Sequence, residues 1–197
     1  QEGYADSEAG NADDTVVGVG EQLKKVLEEK YHVAVCHDLS VYDMQDGKED
    51  RNKAYSQAAV AVQNLLDEHP SIEVTIDLHR DGVPDNVHLE TEINGKKTAK
   101  IMFLNGLCRN SNGDVNDFAQ NPNLSDNLAF SLQLQLKAKA YFPELVRHIY
   151  LRAYRYNLHF KPRSLLVEVG AQNNTVAEAK NAMEPLADIL YAVLSGK

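Results

Sequence analysis

The chain has 197 residues, 43% hydrophobic and 25% charged, with a formal net charge of −9. This is the composition of a soluble globular protein with room for one sizeable core, so wholesale disorder is excluded and a single domain over 1–197 is expected. The acidic balance argues against nucleic acid or anionic lipid as a bulk-charge partner, and no run of about 18 apolar residues marks a membrane span.

In chain order, the first fourteen residues carry Glu2, Asp6, Glu8, Asp13 and Asp14 without a basic residue and read as a solvated loop. From Thr15 to Tyr31, Val16, Val19, Leu23, Val26 and Leu27 fall at helical spacing behind a cap at Asp14 or Thr15. Gly18 and Gly20 imply a late helix start or a close approach to a neighbour. Val33 to Cys36 reads as a short strand, and Leu39 to Arg51 as a loop. Asn52 to His69 places Tyr55, Ala58, Ala59, Val62, Leu65 and Leu66 on one helical face, stopped by Pro70. Ser71 to Leu78 is a strand by its β-branched content, and the strand, helix, strand order predicts a right-handed crossover.

Asn86 to Leu104 reads as a β-hairpin turning at Asn94-Gly95, followed by a loop from Arg109 to Pro122. Leu124 to Phe142 is an amphipathic helix with Leu128, Leu132, Leu136 and Ala140 in one row, closed by Pro143. Ile149 to Leu151 is a short strand, Ser164 to Gly170 a buried one, and Thr175 to Leu194 a terminal helix. The fold class is α/β: a mostly parallel central sheet with helices on both faces and an inserted β-hairpin. Cys36 and Cys108 lack paired metal-site spacing, and the sequence leaves their bonding state open.

Two residues invite chemistry. His79 ends the Ser71 strand, and ligands of parallel sheets bind beyond the carboxyl ends of strands; a capping or ion-paired histidine is the plain alternative. Glu168 interrupts an apolar run, where a carboxylate needs compensation. A salt bridge to Arg155 or Arg163 would supply it, as would work as a general base or metal-site carboxylate. Because parallel strands align their ends, His79 and Glu168 are expected to converge on one cleft. A zinc hydrolase needs three protein ligands and an open fourth position. His32, His37, His69, His88 and His148 lie in surface contexts, whereas His159 precedes the Glu168 strand and is placed for substrate contact. Arg80 and Asp81 are positioned to orient His79 or to meet substrate carboxylates.

Asp77-Leu78-His79-Arg80-Asp81, Tyr156-Asn157 with His159, and Leu165 to Gly170 with Asn173-Asn174-Thr175 together resemble the stage II sporulation protein P family of cell-wall hydrolases. The turn Ile93 to Lys97 and Met102-Phe103 are similar as well, and the Glu168 segment more distantly resembles the zinc-dependent N-acetylmuramoyl-L-alanine amidases. The resemblance implies zinc-assisted cleavage of the amide between glycan and stem peptide in peptidoglycan, and a second, endopeptidase activity on cross-links. It makes His79 and Glu2 zinc ligands, Glu168 the catalytic carboxylate, and Arg80, Asn157 and His159 substrate contacts. In the family a His-Thr-His-Thr stretch closes the first strand, and Gln1-Glu2-Gly3-Tyr4 resembles its continuation, so a third ligand and the first strand are expected upstream of Gln1. It also implies an N-terminal membrane anchor in the intact protein, action outside the cytoplasm during engulfment, and partnership with the glycan-cleaving stage II sporulation protein D. The alternative reading is a non-catalytic cell-wall-binding domain that has lost the metal site. A third, a metal-free hydrolase pairing Glu168 with Asp77 or Asp81, lacks any spacing that requires Asp77 to face the cleft.

Overall fold

The computed structural model describes residues 3–42, 44–45, 48–49, 51–117 and 119–197, without the side chains of 44–45, 48–49 and 51–53. Helix α1 (Val16–Tyr31) starts where Thr15 Oγ1 accepts from the Val17 amide, and ends at His32 in the left-handed region with φ 56°. The glycines do not delay it. A Cβ on Gly18 would meet the Asp13 carbonyl oxygen at 2.0 Å, so glycine there permits the close approach of the preceding turn.

The short strands β1 (Met44–Gln45) and β2 (Lys48–Glu49) pair antiparallel inside the stretch expected to be a loop. Helix α2 (Arg51–Glu68) leads into β3 (Val74–Asp81), which runs through His79 rather than stopping before it. Next come the hairpin strands β4 (Glu90–Ile93) and β5 (Lys96–Ala99), β6 (Ile101–Gly106), α3 (Leu124–Tyr141), β7 (Tyr150–Arg152), β8 (Arg163–Ala171), α4 (Val176–Asn181) and α5 (Met183–Leu194). The expected hairpin therefore divides at Lys100: β4 and β5 pair with each other, and β6 joins the central sheet. The expected terminal helix also divides, at Ala182. Pro185 has no N–H for the Asn181 carbonyl and its ring crowds that oxygen, which breaks the helical ladder there.

The central sheet has the order β3-β8-β6-β7. β3 pairs with β8 and β6 with β7 in parallel, while β6 and β8 are antiparallel. Val33 to Cys36 belongs to no strand: the Val33 amide donates to Leu27 O at 3.1 Å, closing α1, while Val33 and Val35 pack on the core.

Alternation sorts the sheet's two faces. Ile101, Phe103, Leu165, Val167 and Val169 are buried with side chains of α1, α3 and α5, and Ile76 and Leu78 pack against the same cluster. Truncating Leu165 to alanine here costs roughly 2–5 kcal/mol. On the other face Leu104, Leu158 and Leu166 form a second, small cluster with Tyr156 against it. Tyr55 of α2 meets the Tyr156 ring edge-on at 5.5 Å, so helices flank both faces.

The row chosen on α3 is corrected: Leu132 and Leu136 are 51% and 63% exposed. The buried row is Asn127, Phe130, Ser131, Leu134 and Ala138. Its polar members are satisfied, Asn127 by the Lys161 and Pro162 carbonyls and Ser131 by Asn105, which is why a row with two polar residues can be the inner one. Among the described residues no helix is long and apolar enough to cross a membrane.

Candidate active site

The β3–β8 register sets His79 directly beside Glu168, on strands roughly 4.8 Å apart. Parity puts both on the face away from the main core, because their strand neighbours Leu78, Val167 and Val169 pack into it. Met102 pairs with Glu168 from the other side, on β6. Glu168 thus occupies the central strand with Oε2 buried, and the two residues expected to converge do so.

Asp77 shares this face, two residues before His79, and its Oδ1 lies 3.0 Å from His79 Nε2. Asp81, one of the groups expected to orient His79, is committed elsewhere. Its Oδ2 accepts from Arg147 Nη1 at 2.6 Å and its Oδ1 from the Gly82 amide at 2.8 Å. Arg80 Nη1 reaches the Asp81 carbonyl oxygen at 3.4 Å. The Arg147 amide donates to Ile101 O on β6, so the ion pair to β3 reaches across β8. Val146 lies in the core cluster, which turns Arg147 to the Glu168 face.

The loops that leave these strands are fastened together. Gly170 has φ 60°, and a Cβ there would stand 2.6 Å from Asn174 Oδ1, the atom that accepts the Ala171 amide at 2.9 Å. This is the physical content of the glycine and asparagine that follow Glu168. Gln172 brackets Val83, accepting its N–H at 3.0 Å and donating to its carbonyl. Asn173 donates to the Pro84 and Val87 carbonyls and Asn174 to that of Leu89. Residues 83–89, following His79, are thereby held to residues 172–174, following Glu168.

Asn157 donates to the Tyr55 carbonyl oxygen at 2.7 Å, tethering its loop to α2. It and Tyr156 are consecutive left-handed residues, at φ 56° and 52°, an uncommon backbone for a bulky side chain. His159 is anchored near the start of α3, where its carbonyl accepts from Asn123 at 2.7 Å and its ring tilts against Phe160. Its Nδ1 is buried without a hydrogen-bond partner. Burial, aided by the nearby Arg155 charge, pushes its pKa down to about 4, so the imidazole is neutral at physiological pH. Tyr150, Arg152 and Tyr154 are exposed alongside, with the Arg152 guanidinium over the Tyr150 ring. A cleft of about 390 Å³ beside β6 meets the site through Met102, Arg147 and Tyr150; neither His79 nor Glu168 lines it.

His79 and Glu168 supply imidazole and carboxylate on one face, with the Asp77 carboxylate beside them, and imidazole and carboxylate are donors that zinc accepts. Glu2, expected as a ligand, lies outside the described residues. A second group, His88, Glu90 and Glu178, has ligand atoms within 4.8 Å of one another. It lies with α4, whose Ala179 is part of the core on the opposite face. Glu178 Oε2 already accepts from His88, Asn174 and the Thr175 amide, and Lys97 meets Glu90 at 3.3 Å. Burial pushes the Glu178 carboxyl up, but these donors outweigh it and hold it below the usual range.

Sequence reasoning overlooked Arg147, which sits in an aperiodic stretch and pairs with a residue far away in the chain. Asp77 was only half visible: alternation gave its face, not its 3.0 Å approach to His79.

The sequence profile of the stage II sporulation protein P family matches residues 1–191. No curated protein sequence matches the chain. Among solved structures, the CwlD amidase of Clostridioides difficile, solved in complex with the GerS lipoprotein, superposes with TM-score 0.55 at 13% identity, covering 99% of this chain and 93% of that one. The N-acetylmuramoyl-L-alanine amidase AmiC2 of Nostoc punctiforme gives 0.52 at 15% identity, covering 99% and 93%. The apo N-acetylmuramyl-L-alanine amidase Ami1 of Mycobacterium abscessus gives 0.50 at 15% identity, covering 100% and 82%. At these identities the likeness establishes a shared fold.

Proposed function

The chain belongs to the stage II sporulation protein P family, and from that premise we propose that it is a zinc-dependent peptidoglycan hydrolase cleaving the amide between N-acetylmuramic acid and the stem peptide. The observation that carries this reading is Glu168 set in register beside His79 on the outer face of an amidase-like sheet. His79 would hold the metal, together with Glu2 and an upstream histidine. Zinc, when bound, supplies Lewis-acid polarisation of the scissile carbonyl and acidifies water.

Glu168 does the proton work. Its carboxylate takes a proton from the attacking water as the new C–O bond forms, then returns it to the departing alanine nitrogen as the C–N bond breaks. Central placement on β8 with partial burial suits a base that must stay close to one reacting atom. Arg80, Asn157 and His159 are proposed substrate contacts, with neutral His159 limited to hydrogen bonding at physiological pH. The exposed Tyr150, Arg152 and Tyr154 give a rim of the kind that glycan and peptide carboxylates use. Endopeptidase activity, a role in sporulation and engulfment outside the cytoplasm, a membrane anchor in the intact protein, and partnership with stage II sporulation protein D complete the proposal.

The test is release of stem peptides from purified sacculi by the intact protein. Glu168→Gln, which preserves shape and removes the base, is expected to lower the rate by about 10²–10⁴-fold. Digestion at the parental rate would overturn the assignment. Binding to sacculi with no hydrolysis by the parent would instead mark a wall-binding protein.

A further inference from the structure

We propose that Asp77 is the positioning residue of the site: its carboxylate accepts a hydrogen bond from Nε2–H of His79 and thereby turns the Nδ1 lone pair to the metal. The inference rests on reading His79 as a metal ligand and extends it to a residue with no role in that reading.

Three observations carry it. The first is contact, Asp77 Oδ1 standing 3.0 Å from His79 Nε2, within hydrogen-bond reach. The second is placement. Residues two apart on a strand share a face, and Ile76 and Leu78 point into the core, so Asp77 and His79 both project over the Glu168 side. The third is elimination of the rival. Asp81 spends one oxygen on Arg147 and the other on the Gly82 amide.

The chemistry follows from the ring. A neutral imidazole has one N–H and one lone pair, and whichever nitrogen donates leaves the other to ligate. With Nε2–H given to Asp77, Nδ1 is the ligand atom, the ring cannot swing freely about its side-chain bonds, and the negative charge nearby makes Nδ1 a better donor. Because β3 and β8 are in register at His79 and Glu168, fixing the ring also fixes it relative to Glu168.

The experiment measures zinc affinity of the intact protein by competition with a chromophoric chelator. A second measurement follows the His79 imidazole N–H proton by NMR in the absence of metal. Asp77→Asn, which keeps an acceptor and loses the charge, is expected to weaken zinc about 10-fold, and Asp77→Ala up to about 100-fold. Asp81→Asn should stay near the parent. The N–H resonance should be protected from exchange in the parent and lost in Asp77→Ala. If His79→Ala abolishes zinc binding while both Asp77 variants bind as the parent does, Asp77 has no positioning role and the metal reading survives. If the parent binds no zinc, or His79→Ala binds it unchanged, the ligand reading falls and takes this inference with it. Should Asp77→Ala fold poorly by circular dichroism, the near-isosteric Asp77→Asn decides alone.

Discussion

Replacing Arg147 by alanine removes the cation that meets Asp81 at 2.6 Å, and the structure sets the size of the effect. Exposed ion pairs contribute about 0.2–1 kcal/mol, whereas hydrogen bonds to charged groups sheltered from water reach about 1.5–3 kcal/mol. The two side chains are only 28% and 24% exposed, which puts this pair between those limits, at about 1–2 kcal/mol of coupling. In a domain of this size that corresponds to a Tm shift of roughly 2–8 °C. The assay is a double-mutant cycle, Arg147→Ala, Asp81→Ala and the double variant, followed by denaturant unfolding at low and moderate salt. Coupling should persist in salt, because a sheltered pair is weakly screened. A coupling below about 0.3 kcal/mol, within the noise of additivity, would mean that the strap across β8 is a loose surface contact and would refute the reasoning.

Gly170→Ala should destabilise by at least about 2 kcal/mol, combining left-handed strain with a Cβ driven to 2.6 Å from Asn174 Oδ1. Unfolding midpoints check this, and additivity with Asn174→Ala would argue against the clash. His159 carries a pH signature. Its folded-state pKa of about 4 lies below the ordinary 6.5, so the unfolded chain binds the proton more tightly. The stability this neutral imidazole contributes is therefore fully present above about pH 6.5 and is lost progressively toward pH 4. His159→Gln should flatten that part of the stability profile, and an unchanged slope would assign the acid sensitivity elsewhere.

The sequence exposes whatever depends on local periodicity. Val16, Val19, Leu23 and Leu27 announce α1 because a single apolar row faces the core, and the β-branched run before His79 announces β3. The α3 row was misread because that helix has two apolar rows; only tertiary bonds, from Asn127 to the Lys161 carbonyl and from Ser131 to Asn105, choose between them. Val33 to Cys36 has strand composition, but the α1 terminus and the core take up its amide and side chains before any ladder can form. Convergence of His79 with Glu168 was legible because parallel strands align their ends. The approach of Asp77 to His79 was not, since alternation fixes a face and says nothing of rotamer. Nor was the Arg147 strap, which depends on the order of three strands.

Among the described residues β8 follows β3 and β6 in sequence yet lies between them, and they are not neighbours without it. During synthesis the ribosome therefore releases His79 well before its partner residue exists. β3 can pair in parallel only after a long non-local closure, the slow kind of step in folding. Whatever chemistry His79 and Glu168 perform together is withheld from the nascent chain until β8 has been made and inserted between β3 and β6.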